Sequence, residues 1–314
     1  MAGGLNTQNN SSLIRTDIWA NEIKDVLQEE LRLDGYVRWI TEFPDGDTLH
    51  IPTFSEMTVR NYSEGAQVTL DDPTTGEFTL TIDKYYQAGF KIPEKFRQDA
   101  FYVQQAESNF VSKLTRALME QKESDIAHLQ ASQTASNPNT INDVDHRFCA
   151  TGTNEAITLA DMQKAKLAMD KAKVSTMGRR AVVDPFVTYQ LQQISNVIQQ
   201  DVYGSNAHLR EGMQGSSYVG RFAGFEIYES LLLDNSVAET VVATGVGAGS
   251  VSVTDGFANM FVGAEAFVGA MRAMPDLKSW EDNNTRSDVY HVTTRYGIKL
   301  FRPESLVVVL TDPA

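Results

Sequence analysis

Residues 93–130, PEKFRQDAFYVQQAESNFVSKLTRALMEQKESDIAHLQ, constrain the fold more than any other stretch. They hold no glycine, and their only proline stands first, where a helix tolerates one. Apolar residues recur at Phe96, Val103, Phe110 and Ala117, with Ala100, Leu114 and Leu118 three or four places away. That spacing predicts one apolar stripe on a helix, with Gln, Glu, Lys and Ser on the other faces. At 1.5 Å per residue such a helix reaches on the order of 55 Å, more than the width of a small domain. Few compact enzymes need a rod of that length. The stretch reads as a spine on which the rest of the chain is laid.

A chain of 314 residues can bury a substantial core, as two domains or one large irregular one. Its 42% apolar and 22% charged residues are an ordinary globular balance. No window approaches the roughly 18 apolar residues needed to cross a bilayer, and MAGGLNTQNNSSLIRTD lacks the pattern of a signal peptide. The single cysteine, Cys149, excludes an internal disulfide, fits a reducing cytoplasm, and reads as a small buried or half-exposed residue and not a nucleophile. A net charge of −14 argues against a surface that grips phosphate backbones. The nearest approach to a basic patch is Lys171, Lys173, Arg179 and Arg180, of which the two lysines read as the solvated end of a helix.

In chain order, residues 16–33 predict a helix capped by Thr16 or Asp17, with Trp19 as its anchor, in an ordinary core or against another subunit. Leu49 to Phe54 reads as extended, with Pro52 suited to an edge. AQVTL and EFTLTID flank the turn DDPTTG and predict a hairpin, its second strand alternating at Phe78, Leu80 and Ile82. A two-stranded arm needs support. The local sequence offers none, which leaves a neighbouring subunit or the chain's own core. Thr158 to Asp161 resembles a capping box ahead of a helix. Ala181–Val183 predicts a buried strand, and Asp184-Pro185 opens another helix. Strand and helix alternating here predict a small α/β domain. FAGFEIYESLLL is extended and broken at Gly224, and TGVGAGS reads as a loop between valine-rich strands. Tyr290, Val292, Tyr296, Ile298 and Leu300 share a face of a long strand, and Leu306–Leu310 form a fully buried one after Arg302-Pro303. The chain thus returns to a sheet at its end.

No motif carries chemistry. The five histidines show no pair at helical ligand spacing, so no metal site is expected. The glycines of TGVGAGS lack the GK[ST] that a phosphate loop needs. The pairs Asp71-Asp72 and Glu281-Asp282 fall in turns, where solvated carboxylates are not perturbed into acids or bases. The sequence proposes no catalytic residue, no cofactor and no reaction.

The order of parts says more than any motif. GDTLHIPTF, YSEGAQVTLDD, FKIPEKFRQDA, RRAVVDPFVTYQLQ, GRFAGFEIYES and TRYGIKLFRPESLVVV, in this succession, resemble the major capsid proteins of tailed bacteriophages over nearly the whole chain. The resemblance implies an α+β fold with an N-terminal arm at 1–45 and an E-loop hairpin at 46–92. A P-domain with the spine helix follows at 93–157, an A-domain at 158–287, and C-terminal strands returning to the P-domain at 288–314.

The function implied is that of a shell subunit. Hexamers and pentamers would tile an icosahedral head around double-stranded DNA that is packaged without specific binding. A scaffolding protein and a portal protein would be partners, with room for a decoration protein and no membrane. Since the chain starts almost directly at the arm, a separate scaffolding protein is the expectation. The virion would be its location, after assembly in the host cytoplasm. The resemblance also points to contacts between subunits at Trp19, Arg60, Glu64, Asp71, Asp72 and Phe78. A lysine crosslink to a neighbour is not implied, because residues 56–82 contain no lysine. Alternatives are an encapsulin shell enclosing an enzyme cargo, a tail or adaptor protein forming rings or tubes, and an enzyme without a recognisable motif.

Overall fold

The structure is a computed structural model. It describes residues 31–41, 46–55, 57–61, 63–65, 67, 70, 72–99, 103–133, 140–193, 218–243 and 249–312. In chain order the elements are β1 (Val37–Ile40), β2 (Thr48–Phe54), β3 (Thr75–Thr81), β4 (Lys84–Pro93), α1 (Glu94–Asp99) and α2 (Val103–Ala127). Next come β5 (Thr140–Ile141), β6 (Val144–Asp145), β7 (Arg147–Cys149), α3 (Leu159–Lys171), β8 (Arg180–Val183) and α4 (Pro185–Gln193). The remainder is strand: β9 (Tyr218–Phe222), β10 (Phe225–Glu229), β11 (Val237–Ala243), β12 (Gly249–Val262), β13 (Phe267–Asp282), β14 (Ser287–Leu300) and β15 (Leu306–Thr311).

Two sheets carry the fold. One has the order β1-β13-β14-β4; the other runs β7-β15-β12-β8-β10-β9, with β11 also on β12. The second sheet is mixed: β7 lies parallel to β15 and β8 to β10, while β12 runs antiparallel to both β15 and β8. Each of its faces is covered by something different. Val307 and Val309 point toward Met162, Ala165, Met169, Val187 and Leu191 of α3 and α4. Leu306, Val308 and Leu310 point the other way, toward Ile126 and Ala127 at the end of α2 and Leu33 beyond it. Successive side chains alternate across a strand, so an unbroken apolar run is what a doubly covered strand requires.

Local signals account for the elements of this half. Thr158 Oγ1 accepts from the Asp161 amide (3.3 Å), and Asp161 accepts from the Thr158 amide (2.9 Å), which completes the expected capping box. Asp184 Oδ1 accepts from the Phe186 amide at 2.8 Å and caps α4 in the same way. Ala223 and Gly224 both take positive φ (48° and 90°), the conformation of a two-residue turn between β9 and β10.

One expectation is corrected. The hairpin pairs β3 with β2, Ile51 opposite Phe78, and not with residues 66–70, of which the described Gln67 and Leu70 lie outside any strand. Alternation at Leu49 and Ile51 meets alternation at Phe78 and Leu80, which sets this register. Of the two supports left open for the hairpin's base, the chain's own core is the one observed. Leu80 and Ile82 bury against Val268 and Ala270, and Phe78 packs edge-on to Phe301 with centroids 5.1 Å apart. β13 pairs with β14 along its length, so 267–282 share a sheet with β14 and β4. β14 pairs with β4, whereas β15 enters the other sheet.

The spine is also different in detail. Helix is present over Glu94–Asp99 and Val103–Ala127, and a 3-10 turn follows over His128–Ser132. Pro93 ends β4 opposite Ser287 and is not the first helical residue. Burial is concentrated at the C-terminal end, at Leu118, Glu123, Asp125, Ile126 and Ala127, while Phe96, Phe110 and Ala117 of the predicted stripe remain exposed. The helix end is wedged between two sheets.

That end is locked by polar groups. Asp125 accepts hydrogen bonds from the phenols of Tyr296 (2.9 Å) and Tyr86 (3.3 Å) and from Gln121 (3.3 Å), and it faces Lys84 at 3.7 Å. Burial, and then the Asp125 carboxylate, push both phenols above their ordinary pKa. Two residues earlier, Glu123 accepts the Leu33 and Asp34 amides at 2.7 and 2.9 Å and pins the segment that leads into β1. Close approach matters as well: a Cβ at Gly297 would run into the Thr81 carbonyl where β3 leaves β14.

Replacing Tyr296 with Phe removes a hydrogen bond to a charged acceptor and is expected to cost about 1.5–3 kcal/mol in urea unfolding. Tyr85→Phe, at an exposed ring, should change stability by less than about 0.5 kcal/mol. Because the folded pKa of Tyr296 is raised, the unfolded chain releases that proton first above pH ~10, so its contribution to stability falls as pH rises through that range. The Phe variant should show a shallower alkaline loss.

Candidate assembly surfaces

The β2–β3 hairpin is the most exposed part of the described structure. Seven residues per strand at 3.3–3.4 Å each give an arm of about 23 Å, extended further by the connection 55–74. Its base is half-buried, but its far end carries Phe54, Met57, Val59 and Leu70 almost free of contact, Val59 being 97% exposed. Exposed apolar groups clustered on one projection mark a surface that is covered in use. His50 and Glu77 pair across the strands near the base, and the Ser55 amide donates to Thr74 where the connection begins.

The residues expected at subunit contacts divide as follows. Arg60, Glu64 and Asp72 all lie exposed in the connection between β2 and β3. Phe78 sits at the base and spends its ring on Phe301 of its own chain, with Lys299 over its face at 5.0 Å. Trp19 and Asp71 lie outside the described residues.

Sequence reasoning missed two further surfaces. Phe90 stacks on Tyr290 (4.9 Å, 16°) and lies 5.5 Å from Phe110, an aromatic ledge where the sheet meets the long helix, and Phe96 of α1 is exposed as well. The outer half of β13 exposes Met274, Leu277 and Trp280. Alternation in 288–300 hinted at the first surface. The second had no sequence signal, since MRAMPDLKSW does not alternate cleanly.

Polar sites are modest. A cleft of about 300 Å³ between α1 and the β13–β14 turn is lined by Glu94, Arg97, Gln98, Glu281, Arg286, Ser287 and Asp288, with Arg97 and Asp288 already paired. Glu281 and Asp282 end β13 and do not fall in the turn expected from sequence; bonds from Thr285 and the Asn284 amide lower the pKa of Asp282. The basic patch is dispersed: Arg179 is buried against Asp170 and the Ser175 and Val174 carbonyls, and Arg180 pairs with Glu226. Among the described residues no group of His, Cys, Asp or Glu could hold a metal ion, and no helix is long and apolar enough to cross a membrane.

Inside, buried charge ties β7 to β11 within the second sheet and to the segment that follows α2. Arg147 makes a two-point contact with Glu239 (2.6 and 2.8 Å) and donates to the carbonyl and side chain of Gln130, which in turn donates to Asp234. Beside it, Cys149 is buried in the core, and desolvation followed by the charges of Glu239 and Glu155 pushes its thiol up to about 12. The expected buried role of this residue is met.

Set beside known proteins, the chain matches a family model described as phage capsid protein over residues 76–309. Among curated proteins none matches. Solved structures share the fold at low identity. The capsid of cyanophage P-SCSP1u is 18% identical, with a TM-score of 0.74 over 97% of this chain and 94% of that one. Mycobacterium phage Che8 gives 18% identity and a TM-score of 0.67 over 94% and 96%. The head structure of Helicobacter pylori bacteriophage KHP40 gives 13% and 0.67 over 100% and 99%.

Cys149 is expected to resist a thiol-specific alkylating reagent at pH 8 and to react with one equivalent once the protein is denatured, as intact-mass spectrometry would show. Rapid labelling of the folded protein would contradict its placement.

Proposed function

The chain belongs to the phage capsid protein family as a major capsid protein of the phage head, and we propose that its copies join through the β2–β3 arm into hexamers and pentamers of a closed shell. The observation that carries this reading is the arm itself. It is fixed at its base, about 23 Å long by strand rise, and tipped with apolar side chains that its own chain leaves uncovered. The neighbour's aromatic ledge at Phe90, Phe110 and Tyr290 is the matching surface, since burying two apolar patches on each other removes both from water.

Under this reading the protein has a structural and not a catalytic role. The net charge of −14 supports a wall along which packaged double-stranded DNA moves without being gripped. A scaffolding protein, a portal protein and a decoration protein complete the proposed partners, with assembly in the host cytoplasm before the virion is released. Arg60, Glu64, Asp71 and Asp72 are proposed contacts between subunits, and Trp19 an anchor of the N-terminal arm.

Replacing residues 57–70 with a short turn should leave the chain folded, with a thermal midpoint within a few degrees of the parent, and should abolish closed shells in electron micrographs. Shells of normal appearance from that variant would refute the arm's role.

A further inference from the structure

The arm meets the body at few points. Its apolar base rests on Val268, Ala270 and Phe301, a contact that resists separation but not sliding, because apolar burial is non-directional. Direction comes from two side chains of β13 and β14. Arg272 Nη1 donates to the Gly46 carbonyl at 2.7 Å, just ahead of β2, and Lys299 Nζ donates to the Thr79 carbonyl at 2.9 Å, within β3. Both acceptors are main-chain oxygens, so these bonds report where the backbone stands and not which rotamer a neighbour adopts. One pin leaves a hairpin free to rock about it. Two pins, one beside each strand, do not.

The sheet is built to supply them. β13 and β14 pair in register up to Met271 opposite Tyr296, and pairing resumes with Ala273 opposite Arg295, so Arg272 is the extra residue of a β-bulge. A bulge re-aims a side chain relative to the regular alternation. Lys299 reaches its carbonyl by crossing the Phe78 ring, 5.0 Å from its centroid. Both residues are exposed, and neither belongs to the apolar core. Holding long charged side chains in one geometry costs rotamer entropy that burial does not repay here.

On the reading that this arm joins neighbours, we propose that Arg272 and Lys299 are positioning residues that set the angle at which the arm leaves the body, and through it the curvature at which copies close into a shell. A rigid arm angle restricts neighbouring copies to a narrow range of tilts. A rocking arm admits many, and shells of mixed size or open sheets follow.

The test compares the parent with the double variant Arg272→Met, Lys299→Met, and with Lys299→Arg, which keeps a donor and a cation over Phe78. In unassembled chain, hydrogen exchange of peptides covering 46–54 and 75–82 should quicken about tenfold in the double variant, while peptides in α3 and β15 are unchanged. Micrographs should then show shells without a single diameter. Lys299→Arg should retain slow exchange and one diameter. Unchanged hairpin exchange, or faster exchange with shells of unaltered single diameter, would overturn the proposal. The loop-shortened chain separates the two ideas: if it still forms normal shells the arm reading itself falls, whereas if it forms none and the double variant forms normal ones, only the pins fall.

Discussion

The buried carboxylate of Asp125 is the constraint on which the rest of the molecule depends. It stands at the C-terminal end of the long helix, and three groups from two strands, Tyr296 and the pair Tyr86 and Lys84, converge on it. A carboxylate removed from water without partners costs several kcal/mol, so only an arrangement that supplies all of them is tolerated. Glu123, two positions earlier and therefore on the far side of the helix, does the same for the backbone of Leu33 and Asp34. One turn of helix thus fixes both the sheet and the segment that precedes it.

The same end of the helix meets the second sheet through Gln130 and the two-point contact of Arg147 with Glu239. Buried ion pairs are weak contributors to stability but punish misalignment strongly, since a displaced partner leaves a charge stranded. A subunit that must present the same surfaces many times over gains from that intolerance. The apolar layers on either face of β15 supply the bulk of the cohesion, and the polar joints select one relative placement of the two sheets. Against this rigid frame the β2–β3 hairpin is the exception, cantilevered from the frame's edge with its apolar tip uncovered.

Where sequence and structure agree, the cause is local. The capping box at Thr158 and Asp161, the Asp184 cap and the turn at Gly224 each involve residues within a few positions of one another. The alternation of Tyr290 to Leu300 was legible because one face of β14 is buried at Val292, Tyr296 and Leu300. The arm's exposed connection, with Arg60, Glu64 and Asp72, was legible only through the order of segments along the chain. Its pairing was not, because EFTLTID alternates as well against LHIPTF as against AQVTL, and only the register of Ile51 with Phe78 decides.

The sequence by itself determined the elements and their succession: a spine too long for an ordinary enzyme core, helices with their caps, strands with their alternation, and no chemistry-bearing motif. Tertiary structure alone decided which strand joins which sheet, sending β13 beside β14 and β15 to the other sheet. It also decided which carboxylates are buried, for Glu123 and Asp125 look like any charged helical residues until partners 90 and 171 positions distant close on them. Periodicity records how a segment meets solvent over a few residues. Pairing across such separations is set by the whole chain's competition for cover and for hydrogen-bond partners, which no local pattern encodes.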